Sequence, residues 1–235
     1  MTKNFKPLVF AIPILFVLCL LSPIYGPSCV KAQTQEGDDA MLIKLPEPVT
    51  DGEISLEKCL ASRRSVRSYS DDPLTLEEIS QLMWAAQGIT NDRGFRTAPS
   101  AGPLYPMVIF IVVENANDLK PGVYEYIPKK HSLKLTVEGE FLKDLSVACV
   151  NQESISNAPA AIIISAFSDI TRAKYGDRTM RYVDNEAGAI CENIYLQCQA
   201  LGLGTVSIGA FDDASVAEIA KTKSEPRLVM PVGHR

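Results

Sequence analysis

The sequence contains two short, unbroken apolar runs that have the length of buried β-strands. They are Val108–Val113 and Ala160–Ser165, each bounded by polar residues, proline or glycine within a few positions. A strand covered on both faces reads as a continuous apolar run, because neither row of side chains meets water. The runs therefore predict strands at the centre of a sheet.

Helices are marked between these strands by apolar spacing and by capping residues. Thr75 and Glu78 form a capping box for a helix that ends at Gly88. The longest helix is predicted over Tyr182–Leu201, and Leu56, Leu60 and Ala61 are predicted to face inward from a short helix over 54–62. Strands joined partly by hairpins and partly by helices predict an α+β sheet domain. The other predicted elements are a hairpin of Val123–Tyr126 and Leu133–Val137, helices over Phe141–Val150 and from Asp212 or Asp213 to Lys221, and strands over Leu203–Gly209 and Leu228–Val232.

The amino terminus has the pattern of a secretory signal peptide. Two lysines precede the apolar run Leu8–Leu21, and small residues at Val30–Ala32 suit cleavage before Gln33. An uncleaved membrane anchor is the alternative, although the apolar run is short for spanning a bilayer. We therefore predict a signal peptide over 1–32, a tether over 33–53 rich in acids, Gly and Pro, and a folded domain over 54–235. The expected location is periplasmic or extracellular.

Composition excludes several classes of function. The net charge is −5, so the chain is not a general nucleic-acid binder. It has only two histidines and neither a CxxC nor an HExxH pattern, so we expect no metal site. Export would allow disulfides, but core packing as free thiols is expected for Cys191 and Cys198, which lie two turns apart on one helix.

A basic segment stands out against this acidic background. Arg63-Arg64-Ser65-Val66-Arg67-Ser68-Tyr69 combines three guanidinium groups with two hydroxyls, which are donors suited to phosphate oxygens. In an extended conformation Arg63, Ser65 and Arg67 lie on one side. That row predicts contact with one elongated anionic ligand; the alternative is a solvated basic turn after a helix.

Two further stretches are rich in small residues. The loop Thr97–Pro106 contains Pro99, Ser100, Ala101 and Gly102, and the strand over 203–209 is bounded by glycines. Small residues allow a backbone to lie against a flat ligand and to offer N–H groups to ring heteroatoms. Flavin mononucleotide (FMN) combines a phosphate with a flat aromatic ring and would use both features; ordinary loops and a buried strand are the alternatives.

The basic segment resembles the RRSxRxF/Y signature of the nitroreductase-like flavoproteins. Three later stretches resemble landmarks of that family in the same order, so the resemblance covers Ile54–Gly233. The proline-rich loop is most similar to the SagB-type branch, whose better-known members oxidise azolines to azoles in modified peptides. The later stretches are Leu82–Gly88, Pro99–Pro106, and Asn193–Gln197 running into Leu201–Gly204.

The resemblance implies a mixed, mainly antiparallel sheet flanked by helices, and a homodimer with noncovalent FMN at its interface. Arg63 and Ser65 would hold the phosphate and ribityl end, with Arg64 beside them, and Arg67 would lie near the N1 and O2 edge of the ring. Two other sets of residues would line the ring: Pro99, Ser100, Ala101 and Gly102 from the partner subunit, and Ser207, Ile208 and Gly209 along the pyrimidine and N5 side.

The implied activity is two-electron transfer through flavin N5, with NADH, NADPH or the substrate itself as hydride donor. No catalytic acid or base is assigned. Tyr105 is a candidate for that role; the alternative is that it is a tyrosine packed where the loop meets the next strand. The family often adds a basic phosphate contact beyond the last strand, a place that Arg235 would have to fill. Two other functions remain open: a flavin-binding module without redox activity, and a subunit of a peptide-modifying azoline oxidase complex.

Overall fold

A seven-stranded sheet forms the centre of the structure, a computed structural model that describes residues 42–235. The strand order is β1-β4-β3-β2-β5-β7-β6, and every neighbouring pair is antiparallel. The two apolar runs are β2 and β5, which lie side by side inside the sheet as predicted. The strands are β1 Leu42–Lys44, β2 Met107–Val113, β3 Gly122–Ile127, β4 Ser132–Glu138, β5 Ala160–Ala166, β6 Leu203–Thr205 and β7 Glu225–His234.

Helices cover both faces of this sheet. Side chains that alternate along β2 enter different cores: Ile109 and Ile111 pack on the side of α2 and α6, while Phe110 and Val112 pack on the side of α3 and α7. The α+β class and the helix-flanked sheet are therefore confirmed. The helices are α1 Leu56–Ser62, α2 Leu76–Gln87, α3 Leu142–Ala148, α4 Glu153–Ser156, α5 Ser168–Tyr175, α6 Thr179–Leu201 and α7 Asp213–Ile219.

Local sequence signals explain the best-predicted elements. The capping box of α2 is present with both of its hydrogen bonds, between Thr75 and Glu78. Gly202 ends α6 in the left-handed conformation with a φ of 74°.

In residues 42–235, no helix is long and apolar enough to cross a membrane. The predicted signal peptide lies outside the described residues.

The amino-terminal boundary of the domain differs from the prediction. Residues 42–44, assigned to the tether, form an edge strand that pairs with β4, and Leu45 is buried behind it. The side-chain amide of Gln81 then both donates to and accepts from the backbone of Val49, at 2.9 Å each. The strand was not predicted because its few apolar residues lie among acidic residues, Gly and Pro.

The orientation predicted for α1 was wrong. Leu56 and Leu60 are 58% and 52% exposed and Ala61 is also exposed, whereas Cys59 is buried. The helix is short and packs against α6 through the side that carries Cys59, so apolar residues on its other sides remain largely exposed. Leu56 instead borders an open groove of about 850 Å³ between residues 49–54, α2 and α6.

The strand predicted over Leu203–Gly209 is interrupted after Thr205. The register with β7 continues as far as a single bridge between Ile208 and Val229, which places Val206 opposite Pro231. Proline has no backbone N–H, so one of the two hydrogen bonds expected at that pair cannot form. Ser207 lies opposite Met230, between two hydrogen-bonded positions, so its backbone N–H faces away from β7 toward a partner outside the sheet.

Short polar helices were the elements that the sequence did not predict. Helices α4 and α5 were missed, and α6 begins at Thr179 rather than Tyr182. These segments carry few apolar residues, so their helical period is weak.

The four cysteines in the described chain, Cys59, Cys149, Cys191 and Cys198, are buried free thiols.

Candidate functional site

The basic segment lies along the outer edge of β6. After α1 ends, Ser65 forms a parallel bridge with Thr205, and the Val66 N–H donates to the Thr205 carbonyl at 2.9 Å. Tyr69 anchors the far end of the segment by donating to the carbonyl of Val66 at 2.8 Å. The segment is therefore extended and fixed to the sheet, rather than a solvated turn.

The hydroxyl of Tyr195, on α6, joins the basic segment to the end of the interrupted strand. The Ser207 N–H donates to this oxygen at 2.8 Å, and the Ser65 hydroxyl lies 3.2 Å from it. The guanidinium carbon of Arg63 lies 5.0 Å from the centre of the Tyr195 ring. One buried tyrosine therefore brings together Arg63, Ser65 and Ser207, which belong to two of the three predicted motifs.

Arg63 retains most of its capacity to bind an anion. Its side chain is half-buried, and its ion pair with Glu192 is long, at 3.9 Å.

Cys191 lies near Ser207. Burial raises the pKa of its thiol to about 11, although a hydrogen bond with Ser207 acts to lower that pKa. Cys191 is therefore a neutral packing residue at neutral pH.

The other two arginines of the segment differ from Arg63. Arg64 donates to the carbonyls of Ala61 and Arg63 at 3.2 and 2.7 Å, which caps the end of α1. Arg67 is exposed and lies two positions beyond Ser65 in the extended segment. The predicted phosphate contact of Arg64 would thus compete with its capping bonds.

The loop over 99–106 is a strained, internally bonded turn. Gly102 and Tyr105 have φ angles of 61° and 50°, and the backbone N–H of Tyr105 donates to the Ser100 hydroxyl at 2.9 Å. A Cβ at Gly102 would lie 2.5 Å from Nζ of Lys174 and 2.6 Å from the hydroxyl of Tyr175. Only glycine fits here, and it leaves an ammonium and a phenol beside the loop.

A buried carboxylate, which the sequence analysis missed, supports this loop. Glu186 is 3% exposed; burial raises its pKa, while hydrogen bonds with Ser100 and Gln87 and the charge of Arg96 lower it. Gln87 connects the cluster, because it donates to Glu186 at 3.4 Å and accepts from Arg96 at 2.6 Å. A glutamate on the apolar face of α6, between Val183 and Ile190, was the available signal.

Both parts of the site rest on α6. Ser65 lies against Tyr195, and Ser100 lies beside Glu186. These two positions are about 13 Å apart along the axis and on opposite sides of the helix, because they are separated by about two and a half turns. The remaining predicted ring contacts are less suited to that role. The Ile208 side chain is buried in the core on the α7 side, and its backbone N–H and carbonyl are both bonded to Val229. Gly209 is exposed.

We expect Glu186→Gln to change how the stability of the protein depends on pH. A carboxyl group whose pKa is higher in the folded than in the unfolded state favours folding at low pH. That contribution is lost as pH rises from the unfolded pKa, about 4.3, through the folded pKa. Glutamine does not titrate, so the variant should gain stability relative to the natural protein as pH rises. Urea unfolding at a series of pH values tests this, and a pH-independent difference would contradict it.

We expect Tyr195→Phe to destabilise the fold by about 1–2 kcal/mol, because it leaves the Ser207 N–H without its acceptor. The phenyl ring would still pack beneath Arg63. Tyr182→Phe is the matched control on the same helix, since Tyr182 contacts the Tyr175 ring and no hydrogen bond of its hydroxyl is seen in the described residues. Its effect should stay within about 0.5 kcal/mol. Equal denaturation midpoints for the two variants would contradict the bridging role of Tyr195.

Comparison with known proteins identifies the family to which the chain is similar. The model of the Nitroreductase family matches residues 60–234. A candidate nitroreductase of Methanocaldococcus jannaschii is 46% identical over 197 residues, which cover 84% of this chain and 98% of that protein. The crystal structure of a candidate nitroreductase from Ralstonia eutropha superimposes with a TM-score of 0.73 at 29% identity, over 83% of this chain and 89% of that one.

Two more distant structures share the fold. The Escherichia coli microcin synthetase McbBCD complex, with truncated pro-MccB17 bound, matches with a TM-score of 0.63 at 22% identity, over 80% of this chain and 75% of that one. The NADPH:FMN oxidoreductase of Vibrio harveyi, complexed with NAD+, matches with a TM-score of 0.55 at 18% identity, over 76% of this chain and 68% of that one. The family match spans most of the described chain, from the end of α1 to the end of β7, and includes the basic segment, the loop and α6. The chain belongs to the nitroreductase family.

Proposed function

We propose that this nitroreductase-family oxidoreductase uses FMN and transfers two electrons, as a hydride, between a donor and an acceptor. The observation that carries the proposal is the Tyr195 hydroxyl, which joins Ser65 of the basic segment to Ser207 beyond β6. Two motifs predicted for one flavin are separated by more than a hundred residues in sequence, yet they share one hydrogen-bonding partner. The name of the Vibrio harveyi neighbour, an NADPH:FMN oxidoreductase, supports the choice of FMN.

The residues present fit the phosphate end of FMN. The guanidinium of Arg63 lies over the Tyr195 ring and makes a long ion pair of 3.9 Å with Glu192, which leaves its donors for an anion. Ser65 offers a hydroxyl on the same side of the extended segment. Arg67 follows on that side as an exposed cation. These residues would bind and orient the phosphate, while Tyr195 fixes the segment in place.

The loop over 99–102 would contribute only backbone to a flat ligand. The space that a side chain would fill at Gly102 is taken by Lys174 and Tyr175, and the Ser100 hydroxyl accepts from the Tyr105 N–H, so these side chains hold the loop rather than a ligand. Bound FMN would supply the hydride chemistry through N5 of its ring. The chain's own contribution is to position the ring and to exclude water from it.

A titration of residues 33–235 with FMN, followed by absorbance, tests cofactor binding. Saturable binding with one FMN per chain is expected. Absence of binding would overturn the proposal for FMN and leave the fold and the family unchanged. A shift of the visible flavin bands on binding would show that the ring enters the protein.

Turnover separates an enzyme from a flavin-binding module. With FMN bound, oxidation of NADH or NADPH in the presence of a quinone or a nitroaromatic acceptor is expected to be continuous. A bound flavin that stays oxidised in the presence of either donor would favour the redox-inactive module.

We also propose membership of the SagB-type branch, and therefore a role in oxidising a modified peptide as part of a complex. The loop Pro99–Pro106 supports it, as does the shared fold of the microcin synthetase complex. A peptide-dependent reduction of the bound flavin, in the presence of proteins encoded beside this one, is the expected result. Reduction by a nicotinamide donor alone would favour the simple reductase.

A homodimer and export complete the proposal. The exposed Leu56 and Leu60 of α1 provide apolar surface for a partner subunit, which would bring its own loop over 99–102 to the flavin. Light scattering coupled to size exclusion should give twice the mass of the chain.

Export is tested at the amino terminus of the mature protein. Its sequence should begin at Gln33, and a retained Met1 would favour the uncleaved anchor.

A further inference from the structure

A second cavity opens on the far side of Tyr105 from the Gly102 turn. Its volume is about 280 Å³, and it lies between the loop before β2, the neighbouring ends of β2 and β3, and the start of α5. This is close to the lower end of the volumes found for small-molecule sites, roughly 300–1,000 Å³. The residues that decide its chemistry are Arg96, Tyr105, Tyr126, Lys129, Phe167 and Ile170.

Arg96 gives the cavity a cation whose charge is not paired directly. The Arg96 side chain is partly buried, and this burial lowers the pKa of its guanidinium. The groups that it contacts are neutral: Nη1 donates to Oε1 of Gln87 at 2.6 Å, and the guanidinium lies 4.7 Å from the centre of the Tyr105 ring. Within residues 42–235, Arg96 makes no ion pair with a carboxylate. A desolvated cation of this kind favours an anionic partner.

The nearest charges do not remove that preference. Glu186 attracts Arg96 electrostatically, but the amide of Gln87 lies between them in the hydrogen-bonded chain. On the cavity wall, Glu125 and Lys129 have opposite formal charges. Together with Arg96 they give the cavity lining a net formal charge of +1, which favours a ligand with a negative charge.

The remaining walls require an apolar body on that ligand. Phe167 and Ile170 are 41% and 43% exposed where they border the cavity, and Tyr126 is buried beside it. Aromatic and branched side chains around one guanidinium suit a short molecule with a carboxylate at one end. The small volume excludes a nucleotide.

We propose that this cavity binds a small carboxylate with an aromatic or branched apolar body. Arg96 would hold the carboxylate, while Phe167 and Ile170 would cover the apolar part. The proposal does not depend on the site proposed for the FMN phosphate, because no residue of the basic segment lines the cavity, whereas Tyr105 and Pro106 at the end of the loop over 99–106 do.

Isothermal titration of the full chain with phenylacetate, and with phenylacetamide as its neutral counterpart, tests this site. Phenylacetate is expected to bind at least about tenfold more tightly, since a hydrogen bond with a charged partner contributes roughly 1.5–3 kcal/mol. Its affinity should fall as salt is added. Equal affinities for the acid and the amide, or no saturable binding of the acid, would overturn the proposal.

Two variants test the site by independent routes. Arg96→Met should reduce phenylacetate affinity to that of the amide, but it also removes the contacts with Gln87 and Tyr105. Ile170→Glu leaves those contacts intact and places a negative charge at the rim, so it should weaken phenylacetate binding by about tenfold or more. Val147→Glu is the matched control, because Val147 is 62% exposed on α3, outside the cavity. Equal phenylacetate affinity in the Ile170 and Val147 variants would overturn the proposal.

Discussion

Gly204→Ala is expected to lower the free energy of unfolding by about 1–3 kcal/mol, the usual cost of adding an atom to a packed site. A Cβ at this position would lie 2.6 Å from Cγ1 and 2.8 Å from Cβ of Val66. Val66 cannot rotate away to relieve both contacts, because its Cβ is fixed by the backbone. The basic segment would have to move away from β6, which would stretch the bond from the Val66 N–H to the Thr205 carbonyl.

Gly188→Ala is the control for this prediction. Gly188 lies within α6 and is exposed, and a Cβ added there would have no neighbouring atom within 4 Å. Alanine in a helix interior is favoured over glycine by about 0.5–1 kcal/mol, so this variant should be more stable than the natural protein. Urea unfolding should therefore give midpoints that shift in opposite directions. A midpoint for Gly204→Ala at or above that of the natural protein would contradict the close packing of the segment.

The parts of the fold that were predicted correctly depend on neighbours in sequence. The capping box at Thr75, the glycine that ends α6 and the apolar runs of β2 and β5 each carry their signal within a few residues. Such signals need no knowledge of the rest of the chain. The orientation of α1 does need it, because the side of the helix that is buried depends on where α6 lies.

The same distinction applies to the candidate site. The basic segment and the small-residue loop are visible in the sequence because their composition is unusual. Tyr195 and Glu186 were not singled out, since each lies among apolar residues of α6 and a tyrosine there reads as core. Their roles arise from contacts with Ser207 and Ser100, which are set by the tertiary fold. The interruption of β6 opposite Pro231 likewise follows from strand register, which depends on how distant parts of the chain pair.

Arg63→Ala is expected to weaken FMN binding by about 1.5–3 kcal/mol, the scale of a hydrogen bond with a charged partner. The fold should persist, because the Arg63 side chain makes a long ion pair with Glu192 and a contact with the Tyr195 ring, and partly exposed contacts of these kinds each contribute about 0–1 kcal/mol. Absorbance titrations of the natural protein and the variant with FMN give the comparison. The loss should be largest at low salt, where phosphate attraction is least screened.

Arg64→Ala separates direct contact from general attraction. It removes the same charge from the neighbouring position, but the Arg64 guanidinium is occupied by the carbonyls of Ala61 and Arg63. A phosphate held directly by Arg63 requires the Arg63 variant to lose clearly more affinity than the Arg64 variant. Equal losses would mean that the segment attracts FMN only through its total charge. Unchanged affinity in Arg63→Ala would remove this residue from the phosphate site, and Ser65→Ala would then have to account for the binding.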